Sequence, residues 1–399
     1  MEMEEKIRME LGKLHPQMIK WRRQLHQHPE LSFKEEMTTS MIVQNLNSWG
    51  IENRLGLNDQ GVIGTIYGGK PGPTVALRAD IDALPIQDQK TCEYHSKVSG
   101  VMHACGHDGH TAILLSLAKV LQQEREQLHG NVRLIFQHAE EVTPGGALSM
   151  IRSGAVDDAA VIYGLHLWSP LEAGTAASAP AHFMAAADEF SIEIVGKGGH
   201  AGLPHETVDS VMIGSQLVVQ LQTIVSRSIN PAEPAVVSVG SFHGGTGFNI
   251  IADRAKLEGT VRTFNTHTRD QIEQRMHALC THIGEMFGAS VTLKYNRGYP
   301  PVVNHSAEYE RFLKVSEPIF QPHSPLLLSH VMAGEDFSYY LEKIPGCFVF
   351  VGAGNTKEGI ISPHHHPLFD IDERSLLLGA ELLLQLVLDY QRSNPAIIS

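Results

Sequence analysis

Residues 103–110 read His-Ala-Cys-Gly-His-Asp-Gly-His, and this octapeptide restricts the local fold more than any other stretch. Cys105 and His107 are two positions apart, so on a regular helix they would diverge. They converge only in a loop or at a strand end, and Gly106 and Gly109 give the backbone freedom to bend there. From Thr111 onward Ile113, Leu114, Leu117, Val120 and Leu121 recur at helical spacing. The cluster therefore sits at the entrance to a helix, where the macrodipole favours negative charge and a thiol beside imidazoles is expected to ionise readily. One such histidine alone would be an ordinary structural residue. Three His, a Cys and an Asp within eight residues are the makings of a metal or catalytic site.

The flanking segments alternate between strand and helix. Residues 4–25 read as an amphipathic helix, broken near Pro29, and helical spacing resumes over 35–48. His26, His28 and Glu30, around that proline, are either groups behind a site or surface residues of a turn. Residues 61–67 and 74–79 are short apolar strands, and the second ends in Asp80-Ile-Asp82. The helix from 111 runs to about Glu126. A strand at 131–137 ends in His138-Ala-Glu140-Glu141, one at 161–164 ends at His166, and one at 347–351 leads to a loop carrying His364, His365 and His366. A last helix starts near Glu373. Metal-ligating side chains thus recur where apolar strands stop. In a mostly parallel α/β sheet, ligands bind at the carboxyl ends of the strands. The expected fold class is therefore α/β, a mixed, mostly parallel sheet flanked by helices.

Residues 182–296 have another texture. Strands at 188–195, 235–242, 250–264 and 289–295 alternate with helices at 208–227 and 268–287, in the order of a split-βαβ, ferredoxin-like module. Strands of the first kind resume only near residue 327. The expected organisation is a catalytic domain of 1–181 plus 297–399, interrupted by an inserted satellite domain of 182–296, which accords with 399 residues being long for one core.

Cys, His and carboxylate together suit zinc, manganese, cobalt or nickel rather than calcium. Cys105, His107, Glu141, His166 and one of His364–His366 outnumber the three ligands an open one-metal site needs, and suffice for two ions sharing ligands. Adjacent Glu140 and Glu141 at a strand end point different ways, so one can bind metal while the other acts as general base. The chemistry these residues permit is metal-assisted hydrolysis of a carbonyl compound. A net charge of −13 argues against sequence-independent nucleic-acid binding. The four cysteines lack regular spacing, the first residues carry charge rather than an apolar signal core, and no apolar run has the length of a membrane span. A cytoplasmic protein with no membrane or nucleic-acid partner is expected.

Across nearly its whole length the chain resembles the M20 metallopeptidases, and within them the aminoacylase-like amidohydrolases such as hippurate hydrolases, N-acetyl-diaminopimelate deacetylases and auxin-conjugate hydrolases. The resemblance lies in Arg23-Gln-Leu-His-Gln-His-Pro-Glu-Leu-Ser-Phe33, Leu77-Arg-Ala-Asp-Ile-Asp-Ala-Leu-Pro85, His103–His110, Glu140-Glu141 and Gly164-Leu-His166. It continues in Gly196-Lys-Gly-Gly-His200, Phe248-Asn-Ile-Ile251, Gly259-Thr-Val-Arg262, Ala333-Gly-Glu-Asp-Phe337 and His365-His-Pro-Leu-Phe-Asp370. It implies a zinc-peptidase-like catalytic domain holding two divalent ions (Mn, Zn, Co or Ni) on Cys105, His107, Glu141, His166 and His365, with Cys105 bridging. His365 is preferred to its neighbours because it stands in the family pattern His-x-Pro. Glu140 would be general base and proton shuttle. The satellite domain would form a homodimer or homotetramer and lend His200, from the same or a second subunit, to stabilise the oxyanion. Asn249 and Arg262 would hold the substrate. Asp80 and Asp82 are expected behind the ligands, orienting a His, whereas Glu335 and Asp336 read as caps of the following helix.

The implied activity is cleavage of N-acyl-L-amino acids, N-acetyl, benzoyl or similar, to a carboxylate and a free amino acid by metal-activated water. Alternatives on the same scaffold are a carboxypeptidase or dipeptidase and an N-acetyl-diaminopimelate deacetylase. Outside it stand a hydrolase using Cys105 as covalent nucleophile and a binding protein without catalysis.

Overall fold

The structure, a computed structural model, describes residues 3–320, 322, 324–328 and 330–394. The chain resolves into two compact units, one of Met1–Ala181, Val303–Ser329 and Asp336–Ser399, the other of His182–Val302 and His330–Glu335.

The first unit is built on an eight-stranded sheet. Its strands are β1 (Glu52–Leu55), β2 (Val62–Ile66), β3 (Thr74–Asp80), β4 (Val132–Gln137), β5 (Ala159–Glu172), β6 (Ala176–Ser178), and the strands Leu326–Leu327 and Gly346–Gly354. Their order across the sheet is β1, β2, β4, β3, β5, 346–354, β6, 326–327. The central pairs are parallel: β3 with β4, β3 with β5, and 346–354 with β5. Antiparallel pairs stand outside them, β1 with β2 and β2 with β4. Every residue of β3, β4 and 346–354 is buried, as a parallel sheet covered on both faces requires, and their sequences are accordingly apolar runs without alternation.

The covering helices are α1 (Met3–Gln27), α2 (Glu36–Ser48), α3 (His107–Gln123) and the C-terminal helix Arg374–Ser393. α1 lays Ile7, Leu11, Met18, Trp21 and Leu25 into the core, and α3 is buried almost all round. Fully burying one such leucine or isoleucine is worth about 2 kcal/mol, so this face alone anchors α1. Among the described residues no helix is long and apolar enough to cross a membrane.

One strand is longer than its apolar run suggests. The strand containing His166 does not stop there; β5 continues to Glu172, with Phe350 opposite His166 and Val351 opposite Leu167. Trp168 stacks on Phe350 with ring centroids 4.2 Å apart. A histidine inside an apolar run looks like a strand end only when its neighbours across the sheet are unknown.

The second unit carries a four-stranded antiparallel sheet in the order Ala235–Gly244, Arg254–Thr263, Ala186–Val195, Ser290–Asn296, with the helices Ser210–Thr223 and Thr266–Phe287. This is the split-βαβ arrangement, in which the first and last strands of the motif lie side by side. Ile192, Ile194, Leu217, Leu221, Leu257 and Met276 make its core. A two-residue ladder, Gly199–His200 with Ile250–Ile251, stands beside it.

Candidate metal centre

Five segments of the first unit deliver the site. The octapeptide forms a bend that runs directly into α3: Gly106 occupies the N-cap with φ +94°, and His107 is the first helical residue. Only glycine adopts that backbone without strain, and it turns Cys105 back toward His107. β3 ends at Asp80, and Asp82 follows it. β4 ends at Gln137, and the turn beyond it carries Glu140 and Glu141. β5 contributes His166, and the loop after 346–354 contributes His364 and His365.

These segments converge. Cys105, His107 and Glu141 present ligand atoms all within 4.8 Å of one another, and so do Cys105, His166 and His364. Cys105 belongs to both sets, its Sγ 3.4 Å from His166 Nε2. His365 Nε2 lies 3.4 Å from Glu141 Oε2. Glu140 is buried, its Oε2 4.0 Å from His107 Nε2. His364, one of the three histidines left open by the residues themselves and set behind His365 on the family pattern, is half-buried against Trp168 and His166; its Nε2 accepts the Ser169 amide at 3.2 Å. Three successive histidines carry no signal that says which one turns inward.

The donor set fits a divalent cation. His107 Nε2 and Glu141 Oε1 are buried and find no hydrogen-bond partner among the described residues, although carboxylates stand 3.8–4.0 Å from the imidazole. Buried polar atoms without partners are rare unless something else satisfies them. The thiol behaves opposite to the sequence expectation: burial first, then the charges of Glu141, Glu140 and Asp80, push Cys105 well above the ordinary value. The helix terminus does not offset three carboxylates, so a cation is what can bring this thiol to thiolate. His166 is held neutral, well below its ordinary value, by burial and by His110 and His364. A neutral imidazole is the ligand form.

The groups behind the ligands are fixed by buried ion pairs. His107 Nδ1 faces the Asp82 carbonyl at 2.9 Å and Asp82 Oδ1 at 3.2 Å, which aims Nε2 into the centre. Asp82 Oδ2 also accepts the Glu141 amide at 3.0 Å and the Ser32 hydroxyl at 2.6 Å. Burial lowers the basicity of His107, but Asp80, Asp82 and Glu141 override it and raise the group to about 10. Asp80 bonds His110 Nδ1 at 2.6 Å and Arg78 Nη1 at 2.6 Å rather than His107.

Asp336 is not a helix cap. The N-cap of Ser338–Leu341 is Phe337, which makes no side-chain cap bond. The Asp336 carboxylate accepts from Arg78 Nη2 at 2.7 Å, Gln137 Nε2 at 2.8 Å and the Ala147 amide at 3.0 Å. His26 is no surface residue either: it is buried with Nδ1 2.7 Å from Asp108 Oδ2, beside Arg22. Glu30 caps α2, accepting the amides of Met37 and Thr38 at 2.9 and 2.8 Å.

His200, Asn249 and Arg262 lie in the second unit. His200 pairs with Ile250 and is exposed, its Nδ1 accepting the Gly202 amide at 2.9 Å, while the Asn249 carbonyl accepts the Ala201 amide at 3.1 Å. Arg262, on the strand Arg254–Thr263, is half-buried and donates to the Thr260 hydroxyl and the Val261 carbonyl.

A cysteine–histidine–carboxylate pocket at the carboxyl ends of a parallel sheet is a site suited to a divalent cation. Residues 76–389 match Peptidase family M20/M25/M40. The N-acyl-L-amino acid amidohydrolase of Geobacillus stearothermophilus is 46% identical over 301 residues, covering 75% of this chain and 81% of that one. The N-acetyl-L-cysteine deacetylase of Bacillus subtilis is 41% identical over 96% of this chain and 90% of its own length. Among solved structures, the YXEP protein of Bacillus subtilis, described as a dinuclear metal binding peptidase from the M20 family, superimposes with a TM-score of 0.80 at 35% identity, covering 96% of this chain and 99% of that chain. The chain belongs to peptidase family M20/M25/M40. It is a metal-dependent enzyme that hydrolyses amides.

Proposed function

We propose that the substrates are small N-acyl-L-amino acids, cleaved to a carboxylic acid and a free amino acid, and that the pocket works with two divalent ions. The observation that carries this reading is the sharing of Cys105 between two three-ligand sets with Glu140 beside them. Relatives named for N-acyl-L-amino acid and N-acetyl-L-cysteine cleavage support the substrate class.

Cys105, His107, Glu141, His166 and His365 would hold the ions, drawn from manganese, zinc, cobalt or nickel, with His364 beside them as the third member of the set around Cys105 and His166. Such ions, when bound, polarise the amide carbonyl and acidify a water. Glu140 takes the proton of the attacking water and returns it to the leaving nitrogen, a role that suits a buried carboxylate next to, rather than within, the ligand set. Asp82 keeps the His107 ring and the Glu141 backbone in register throughout. On the strength of the motif resemblance, we assign His200 to the developing oxyanion and Asn249 and Arg262 to the substrate's carboxylate or amide. A homodimer or homotetramer through the second unit and a cytoplasmic location, where Cys105 stays reduced, complete the proposal.

The test is a panel of N-acetyl and N-benzoyl amino acids and unblocked dipeptides, assayed after reconstitution with each of the four metals. Blocked amino acids should be turned over fastest; faster cleavage of free dipeptides would replace this reading with a dipeptidase. Glu140→Gln should keep its metal and lose about 10²–10⁴-fold in kcat. Activity that survives thorough chelation but not alkylation of Cys105 would instead indicate a cysteine nucleophile.

A further inference from the structure

Glu35 stands at the N-cap of α2, yet its side chain makes no cap bond to that helix. Glu30 performs the capping, through Met37 and Thr38. The buried Glu35 carboxylate instead reaches 104 residues along the chain and accepts the backbone amide of Ala139 at 2.8 Å. Ala139 is the residue before Glu140, and its φ is +52°. A non-glycine residue in the left-handed region costs about 1–2 kcal/mol and persists only where its surroundings hold it.

Three bonds hold this turn. Glu35 takes the Ala139 amide, the Gly146 amide returns to the Ala139 carbonyl at 3.0 Å, and Asp82 takes the Glu141 amide at 3.0 Å. Gly146 comes so close that an added Cβ would lie 1.9 Å from the His138 carbonyl oxygen. Glu140 is thus the residue between two amides that are each anchored by a buried carboxylate. Asp82 serves the ligand Glu141 on one side; Glu35 has no ligand to serve.

We propose that Glu35 is a positioning residue for Glu140: by accepting the Ala139 amide it holds the left-handed backbone from which the Glu140 side chain projects. The inference rests on the reading of Glu140 as the general base. Glu35 touches neither a ligand set nor the reacting atoms; it acts through one hydrogen bond on the aim of a neighbour.

Glu35→Met keeps the buried volume and removes the acceptor, whereas Glu35→Gln keeps an acceptor oxygen. Three measurements on the full-length protein separate the outcomes: hydrogen exchange of the 138–146 segment, metal stoichiometry and affinity by chelator competition, and kcat and KM on an N-acyl amino acid. In Glu35→Met the Ala139 amide should exchange at least about tenfold faster. In the same variant kcat should fall about 10–100-fold with full metal content, and KM should stay within about threefold. Glu35→Gln should restore both the protection and most of kcat. The proposal is overturned if Glu35→Met exchanges and turns over like the parent, or if Gln and Met lose kcat equally. Glu140→Gln, run in parallel, isolates the underlying reading. Should it turn over normally, the general-base assignment falls, whatever the Glu35 variants show of the backbone.

Discussion

At the scale of single residues, one carboxylate does several jobs. Asp82 fixes the His107 ring, the Glu141 amide and the Ser32 hydroxyl. Replacing it with alanine frees the ring to rotate and should weaken metal binding about 10–100-fold, measured by competition with a chromogenic chelator. Unchanged affinity would mean that the ring is held by the Asp82 carbonyl alone. Glu35 carries a pH signature of its own. Burial first, then the charge of Asp82, raises it to about 7, above the value of about 4.3 for an unfolded glutamate. The folded protein therefore binds this proton more tightly than the unfolded chain. Its stabilising contribution is complete below about pH 4 and is lost as pH rises through about 7. Glu35→Gln should gain urea stability relative to the parent between about pH 4 and pH 8, and an equal difference at both ends would refute the assignment. That Glu35 matters at all was not visible in the sequence. Glu35 and Glu36 look alike there, and only the return of the chain at Ala139 separates them.

The elements show how two distant ligand segments are held in one place. Arg22 of α1 is fully buried and bonds Asp108 at 3.0 Å, Asp370 at 2.6 Å and Glu373 at 3.2 Å. Asp108 follows the proposed ligand His107, and Asp370 lies five residues after His365. Lys90 adds a bond from its ammonium to His26 Nε2 at 2.7 Å and another to the Phe369 carbonyl at 2.7 Å. One guanidinium therefore ties α1 to both the octapeptide and the histidine loop. Arg22→Met takes the guanidinium from Asp108, Asp370 and Glu373 together and should cost about 3–5 kcal/mol in urea unfolding. A loss below about 1 kcal/mol would show that the pairs barely repay their desolvation. The helices and most strands were readable from apolar period, because each buries one stripe or two faces. The extent of β5 was not, since His166 interrupts the apolar run and the pairing that carries the strand on to Glu172 comes from residues 350–354, far along the chain. Asp336, too, reads as a cap from its place before a helix; its real partners, Arg78 and Gln137, are brought by β3 and β4.

For the whole molecule, metal and folding are linked. The proposed ligands come from Cys105, His107, Glu141, His166 and the pair His364 and His365, so the unfolded chain cannot present them together. A cation that binds the assembled pocket stabilises it by about 2.7 kcal/mol at one hundred times its Kd. Manganese or zinc should raise the Tm in a concentration-dependent way, and a chelator should reverse the rise. A Tm indifferent to both would contradict a site assembled by folding. The amino-acid sequence alone determined the metal chemistry and the α/β class. Ligand types are carried by the residues themselves, and apolar period is a local consequence of which face is buried. Which of three histidines faces Cys105, where β5 ends, why Cys105 resists ionisation and what Glu35 grips were decided only by the tertiary structure. Each depends on the distance between residues remote in the chain, and burial and charge act through that distance.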